Sequence, residues 1–140
     1  MATHRVAPGL FPPPRYSHSV VVEAGERLVF TAGGVPLDPD GNLVGPGDRV
    51  RQAEQVLVNL SEQLVQAGTD LAHVVNTTVY VVADQTSDLG AVWDVVTASG
   101  LATGPHSSTL LGVSLLGYTG QLVEITAVAV IPDGYSRSGS

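Results

Sequence analysis

Few residues of this chain combine a reactive side chain with a setting that would make it useful, and Glu124 is the first of them. It lies in Leu122-Val123-Glu124-Ile125-Thr126-Ala127-Val128-Ala129-Val130, a run that is otherwise mostly apolar. A carboxylate there is desolvated, which raises its pKa toward a value suited to acid–base work, or it lines a pocket, or it belongs to an edge strand or salt bridge. Gly33 follows Thr31-Ala32 at the end of a β-type run. A bare backbone at that point lets a ligand approach closely, or simply makes a turn. The third place is Pro105-His106-Ser107-Ser108-Thr109, which opens another β-type run with unusual polar density.

Conventional sites are missing elsewhere. The chain has no cysteine, which excludes disulfides, thiolate metal sites and a cysteine nucleophile. All six basic residues are arginine, so Schiff-base catalysis through a lysine amine is also excluded. The histidines at 4, 18, 73 and 106 show no paired metal-ligand spacing, so neither a metal nor a cofactor is expected. Gly33-Gly34 lacks a following helix start at phosphate-loop spacing, and no serine sits in a Gly-x-Ser-x-Gly elbow. A net charge of −7 argues against a nucleic-acid partner; even the densest basic pair, Arg49 and Arg51, is flanked by Asp48 and Glu54.

These residues must be positioned by a single domain, because 140 residues are too few for two ordinary ones. A hydrophobic fraction of 44% can supply its core. Met1-Ala2-Thr3-His4-Arg5-Val6 does not read as a signal peptide, and no run reaches the roughly 18 to 20 apolar residues of a membrane span. The expectation is a cytoplasmic protein with no membrane partner.

Residues 1–15, with Pro8, Pro12, Pro13 and Pro14, read as an extended N-terminal arm. The folded domain is expected over 16–132 and a mobile tail over 133–140. Runs 16–23 and 27–33, joined by Ala24-Gly25-Glu26, predict an antiparallel hairpin. From 48 to 67 the period becomes helical through Val50, Ala53, Leu57, Leu60, Leu64 and Ala67, with Asp48 as N-cap and Gly68 as stop. Residues 74–82 are β-branched and read as a central strand. A second, weaker helix is expected over 84–99, then strands over 107–113 and 122–131. The order β-β-α-β-α-β-β implies an α/β fold of the α+β two-layer sandwich kind: a mixed sheet with two helices on one face. Its other face stays partly apolar, as faces buried against another subunit do.

The same segments resemble the RidA (YjgF) family over roughly residues 14–131. The resemblance is carried by Tyr16-Ser17-His18-Ser19-Val20, by Leu28-Val29-Phe30-Thr31-Ala32-Gly33-Gly34-Val35-Pro36-Leu37-Asp38-Pro39 and by Asn59-Leu60. It continues through Val75-Asn76-Thr77-Thr78-Val79-Tyr80-Val81, Pro105-His106-Ser107-Ser108-Thr109 and Leu122-Val123-Glu124-Ile125-Thr126-Ala127. It implies a chorismate-mutase-like sandwich, a homotrimer with a central barrel, and ligand clefts between subunits. Family members hydrolyse reactive enamines and imines to 2-oxo acids and ammonia without metal or cofactor. By position, Glu124 matches the family glutamate, Tyr16 the cleft tyrosine and Gly33 the backbone contact point.

The match is incomplete at the site. Ser107 stands where the family has the arginine that pairs with a substrate carboxylate, Ala32 where it has a serine, and Trp93 where it has an asparagine. Thr109 takes the place of a small residue, often cysteine, and the loop over 112–120 is longer by about two residues. Arg15 and His106 are the candidate replacement cations. Strand alternation puts 107 and 109 on one face and 106 and 108 on the other, so His106 points to the helix layer if Ser107 faces the cleft. The resemblance implies a deaminase-like hydrolase of a small reactive metabolite other than a typical 2-imino acid. The alternative is a non-catalytic trimer that binds a small molecule in the same cleft.

Overall fold

The computed structural model describes residues 2–134; Met1 and residues 135–140, which hold most of the expected tail, lie outside the described residues. Three strands come first, β1 (Ala2–Arg5), β2 (Ser19–Val22) and β3 (Arg27–Phe30). Helix α1 (Arg49–Ala67), strand β4 (Val74–Val82) and helix α2 (Thr86–Thr97) follow, and β5 (Ser107–Val113) and β6 (Val123–Ile131) complete the domain.

The termini of α1 are those its sequence encodes. The Asp48 carboxylate accepts a hydrogen bond from the Arg51 N–H, and Gly68 takes the left-handed conformation at φ 94°. One stripe of the helix, Val56, Leu60 and Leu64, is fully buried. It packs with Val92 and Val96 of α2 on Val79 and Val81 of β4 and Val123 and Ile125 of β6. The main sheet has the order β3-β6-β4-β5, with β4 and β5 parallel and the other pairs antiparallel. The parallel pair needs a crossover, which α2 supplies. Two helices on a mixed sheet form the expected α+β sandwich.

The predicted hairpin between β2 and β3 does not form. β2 pairs instead with β1, Ala2 opposite Val22 and Arg5 opposite Ser19, while β3 pairs only with β6. The element order therefore gains a strand at the start. Pro8, Pro12, Pro13 and Pro14 fall in the connection between β1 and β2, where no ladder hydrogen bonds are needed. His18 pins that connection: its Nδ1 accepts from the Ala7 N–H at 2.8 Å and its Nε2 meets the Phe11 carbonyl at 3.1 Å.

The face of the sheet away from the helices is uncovered. The alternation along β4 and β6 puts Asn76, Thr78, Tyr80, Glu124, Thr126 and Val128 on it. Register arranges them in rows. Ser107, Asn76 and Val128 form one; Thr109, Thr78 and Thr126 the next; Leu111, Tyr80 and Glu124 the third. Phe30 of β3 continues the first row and is 74% exposed.

Candidate active site

Glu124 and Gly33 meet at one end of this outer face. Beyond β3 the chain stays beside β6, through Thr31 N–H to the Ala127 carbonyl at 3.0 Å and Gly34 N–H to the Ile125 carbonyl at 2.7 Å. That pairing carries Gly33 over the Glu124 side chain. A methyl group on Gly33 would stand 2.6 Å from Cδ and 2.7 Å from Cγ of Glu124, well inside contact distance. Gly33 does not adopt a left-handed backbone, so it is not a turn glycine. Glycine is required because the glutamate occupies the space of a side chain. Asn59 of α1 steadies the chain beyond it, donating to the carbonyls of Val35 at 2.7 Å and Leu37 at 2.9 Å.

Glu124 is half-buried, and its Oε1 accepts a hydrogen bond from Gln121 Nε2 at 3.0 Å. Among the described residues no donor reaches Oε2. This site thus presents one carboxylate oxygen held by a hydrogen bond and one without a donor, the latter set against the bare backbone of Gly33. Such an oxygen can accept a proton from a bound molecule, and among the described residues Glu124 is the charged side chain of β4, β5 and β6 on this face.

Ser107 and Thr109 share the face but not the place. Ser107 pairs with Asn76 of β4, whereas Glu124 pairs with Tyr80, four residues along that strand. With strand spacings of about 4.8 Å and a rise near 3.3 Å per residue, Ser107 lies roughly 16 Å from Glu124 in the same chain. Its hydroxyl is also occupied, donating to the Val75 carbonyl at 2.9 Å and accepting from Asn76 Nδ2 at 3.0 Å. Thr109, opposite Thr78, is exposed and closer by two residues.

The remaining candidates gather at the start of β5. Ser17 N–H bonds the His106 carbonyl at 3.1 Å, and the Ser17 hydroxyl bonds the Pro105 carbonyl. This sets Tyr16 edge-on to Trp93 of α2, with ring centroids 6.3 Å apart. Arg15, an exposed residue at φ 64°, donates to Thr97 Oγ1 at 2.9 Å and is thereby tied to α2. Within this chain the guanidinium of this candidate cation lies against α2, on the side of Tyr16 and Trp93.

His106, the other candidate cation, follows the strand alternation. It is 2% exposed and points inward, as the alternation from Ser107 requires. Its Nε2 meets Thr77 Oγ1 at 2.8 Å, and Thr77 Oγ1 meets Ser108 Oγ at 2.7 Å. Burial pushes the imidazole below the ordinary histidine value; the Leu101 backbone acts in the opposite sense and His4 in the same one. Nδ1 finds no partner with hydrogen-bond geometry. His106 is thus an interior group within this chain.

Two contributors lay outside the sequence reading. Gln121 stands between Gly120 and Leu122 and reads as a loop residue, yet it is buried against Glu124. Asn76 donates from Nδ2 to the Ser107 hydroxyl and to its backbone carbonyl at 3.0 and 3.3 Å. Among the described residues, no group of three or more His, Asp or Glu could hold a metal ion. No helix among them is long and apolar enough to cross a membrane.

Comparison with known proteins gives one family model, two relatives and two solved structures. The family model described as endoribonuclease L-PSP matches residues 10–131. The chain is 38% identical over 117 residues to protein DfrA of Myxococcus xanthus, covering 82% of this chain and 84% of that one. It is 36% identical over 115 residues to a 2-iminobutanoate/2-iminopropanoate deaminase of Mus musculus, covering 82% and 80%. Among solved structures, a conserved Rid-family protein, YyfB of Yersinia pestis, superposes with a TM-score of 0.85 at 32% identity, over 92% of this chain and 98% of that one. RidA from the Antarctic bacterium Psychrobacter sp. PAMC 21119 gives 0.65 at 28% identity, over 91% and 94%.

Proposed function

This chain belongs to the RidA (YjgF) family, and from that premise we propose that it is a cytoplasmic hydrolase of small imines or enamines lacking the usual carboxylate. The reading is carried by one observation: the second carboxylate oxygen of Glu124, which accepts no hydrogen bond and lies against the bare backbone of Gly33. Water adds to the carbon of the C=N bond while Glu124 takes its proton. That proton passes to the nitrogen, giving a carbinolamine; its hydroxyl proton then moves to the nitrogen by way of Glu124 as C=O forms and the C–N bond breaks, and the products are a carbonyl compound and ammonia. The Gly33 backbone, Ser107 and Thr109 orient the substrate.

The missing carboxylate follows from charge. Ser107 stands where the family arginine would be, and the outer face offers no cation among the described residues. A buried carboxylate left without a charge-assisted partner costs on the order of 1.5 to 3 kcal/mol. That is about tenfold to a hundredfold in turnover. The 16 Å between Glu124 and Ser107 also favours a cleft shared between copies, one supplying Glu124 and Gly33 and its neighbour Ser107, Thr109, Tyr16 and Trp93. The assembly proposed is a homotrimer.

A second reading, a non-catalytic trimer binding a small molecule in that cleft, is favoured by the Ser107 hydroxyl, whose proton is already committed to the Val75 carbonyl. The two separate in an assay of ammonia and carbonyl release from imines made in situ by amine or amino-acid oxidases. Wild type should accelerate hydrolysis of imines without a carboxylate, and Glu124→Ala should not. Ser107→Arg should gain about tenfold or more on 2-imino acids. Wild type and Glu124→Ala both matching the spontaneous rate on every imine would leave the binding reading.

A further inference from the structure

We infer that Gln121 is the positioning residue for Glu124, holding Oε1 so that Oε2 alone faces the reacting atoms; the link to turnover rests on the hydrolase reading, while the tether itself does not. Gln121 is 3% exposed. Its Nε2 donates to Glu124 Oε1 at 3.0 Å and to the Val123 carbonyl at 3.1 Å, and its Oε1 accepts from the Tyr118 N–H at 3.1 Å. The partners fix which end of the amide is which. Turned over, it would aim NH₂ at an N–H and oxygen at two acceptors.

The backbone on either side of Gln121 is clamped from α1. Gln52, wholly buried, donates from Nε2 to the Gly120 carbonyl at 3.1 Å and accepts from the Leu122 N–H at 2.7 Å. The same Nε2 also reaches the Gly45 carbonyl at 3.0 Å. Two buried glutamines therefore run in series from the helix to the carboxylate. Neither can turn without stranding a buried polar atom, so the chain has one low-energy arrangement. A glutamate on an open sheet face would otherwise sample several rotamers. Locking it in advance is what a site needs when one oxygen must meet a water or substrate proton.

The test compares wild type with Gln121→Leu and Gln121→Glu. The second keeps the size and shape of the side chain but replaces the donor with an acceptor. On an imine that wild type turns over, kcat should fall about tenfold or more in both, with KM within about twofold. Gln121→Glu retaining wild-type kcat overturns the proposal, because packing alone would then suffice. A second readout needs no turnover: three-bond couplings across χ1 of Glu124 in isotope-labelled protein. They should report one rotamer in wild type and averaging in Gln121→Glu, which carries the test alone if the leucine variant fails to fold. An unchanged single rotamer overturns the tether, whereas absence of turnover in wild type overturns the hydrolase reading only.

Discussion

Gly33 and Glu124 are joined by exclusion: the carboxylate side chain occupies the volume a Cβ would need. Gly33→Ala should cost about 1 to 3 kcal/mol in urea unfolding, the ordinary range for overpacking. It should also reduce imine hydrolysis as far as Glu124→Ala does, since the glutamate must move. Full activity in the alanine variant would separate the two residues. His106 makes a different kind of prediction. Burial holds its pKa below the ordinary 6.5, so the unfolded chain binds its proton first as pH falls. Stability from this group is complete above that value and is lost progressively below it, until the folded-state pKa is passed. Chemical unfolding at a series of pH values from roughly 7.5 down to 5 should show a smaller loss in His106→Gln than in wild type. Equal slopes would mean that other groups carry the dependence. Neither role was readable from residue type: a glycine after a strand and a histidine before one each admit several explanations, and the neighbour across the fold chooses.

Elements divide by how much of their energy is local. Helix α1 was legible end to end, because Asp48, the apolar stripe and Gly68 all act within its own length. Asp48→Ala should lower stability by about 1 kcal/mol in thermal or urea unfolding, as lost N-caps do. No change would show that the Arg51 N–H finds another acceptor. The short strands behaved otherwise. β2 has two possible partners, and four residues carry too little pattern to choose between them. The chain uses β1, since the proline-rich connection returns residues 2–5 alongside 19–22 and His18 holds it there. Gln52 shows a third case. It falls on the inner side of α1 at a helical position, but a buried glutamine is tolerable only because Gly45, Gly120 and Leu122 satisfy it.

At the scale of the whole molecule, the uncovered sheet face decides what the chain can do alone. Phe30 at 74% and Leu28 at 43% exposure border a face that also carries Val128, Tyr80 and Leu111, an apolar area suited to a second copy. The proposed trimer would bury it and would bring Ser107 of one copy toward Glu124 of another. Light scattering at micromolar concentration should give three times the chain mass for wild type and a lower mass for Phe30→Asp. A monomeric wild type would remove the shared cleft and leave Glu124 and Ser107 as separate surfaces.

Sequence alone determined the two-layer fold and the family and singled out Glu124 as a candidate, because periodicity, caps and ordered motifs are local properties of the chain. It also placed Ser107 where a cation would stand and pointed His106 inward through simple strand alternation. Tertiary structure decided why Gly33 is bare, which strand β2 joins, and that Gln121 is a buried partner of the carboxylate rather than a loop residue. Each of those depends on a contact between residues remote in the chain or on the exact path of a turn. Such contacts leave no periodic trace in the order of amino acids.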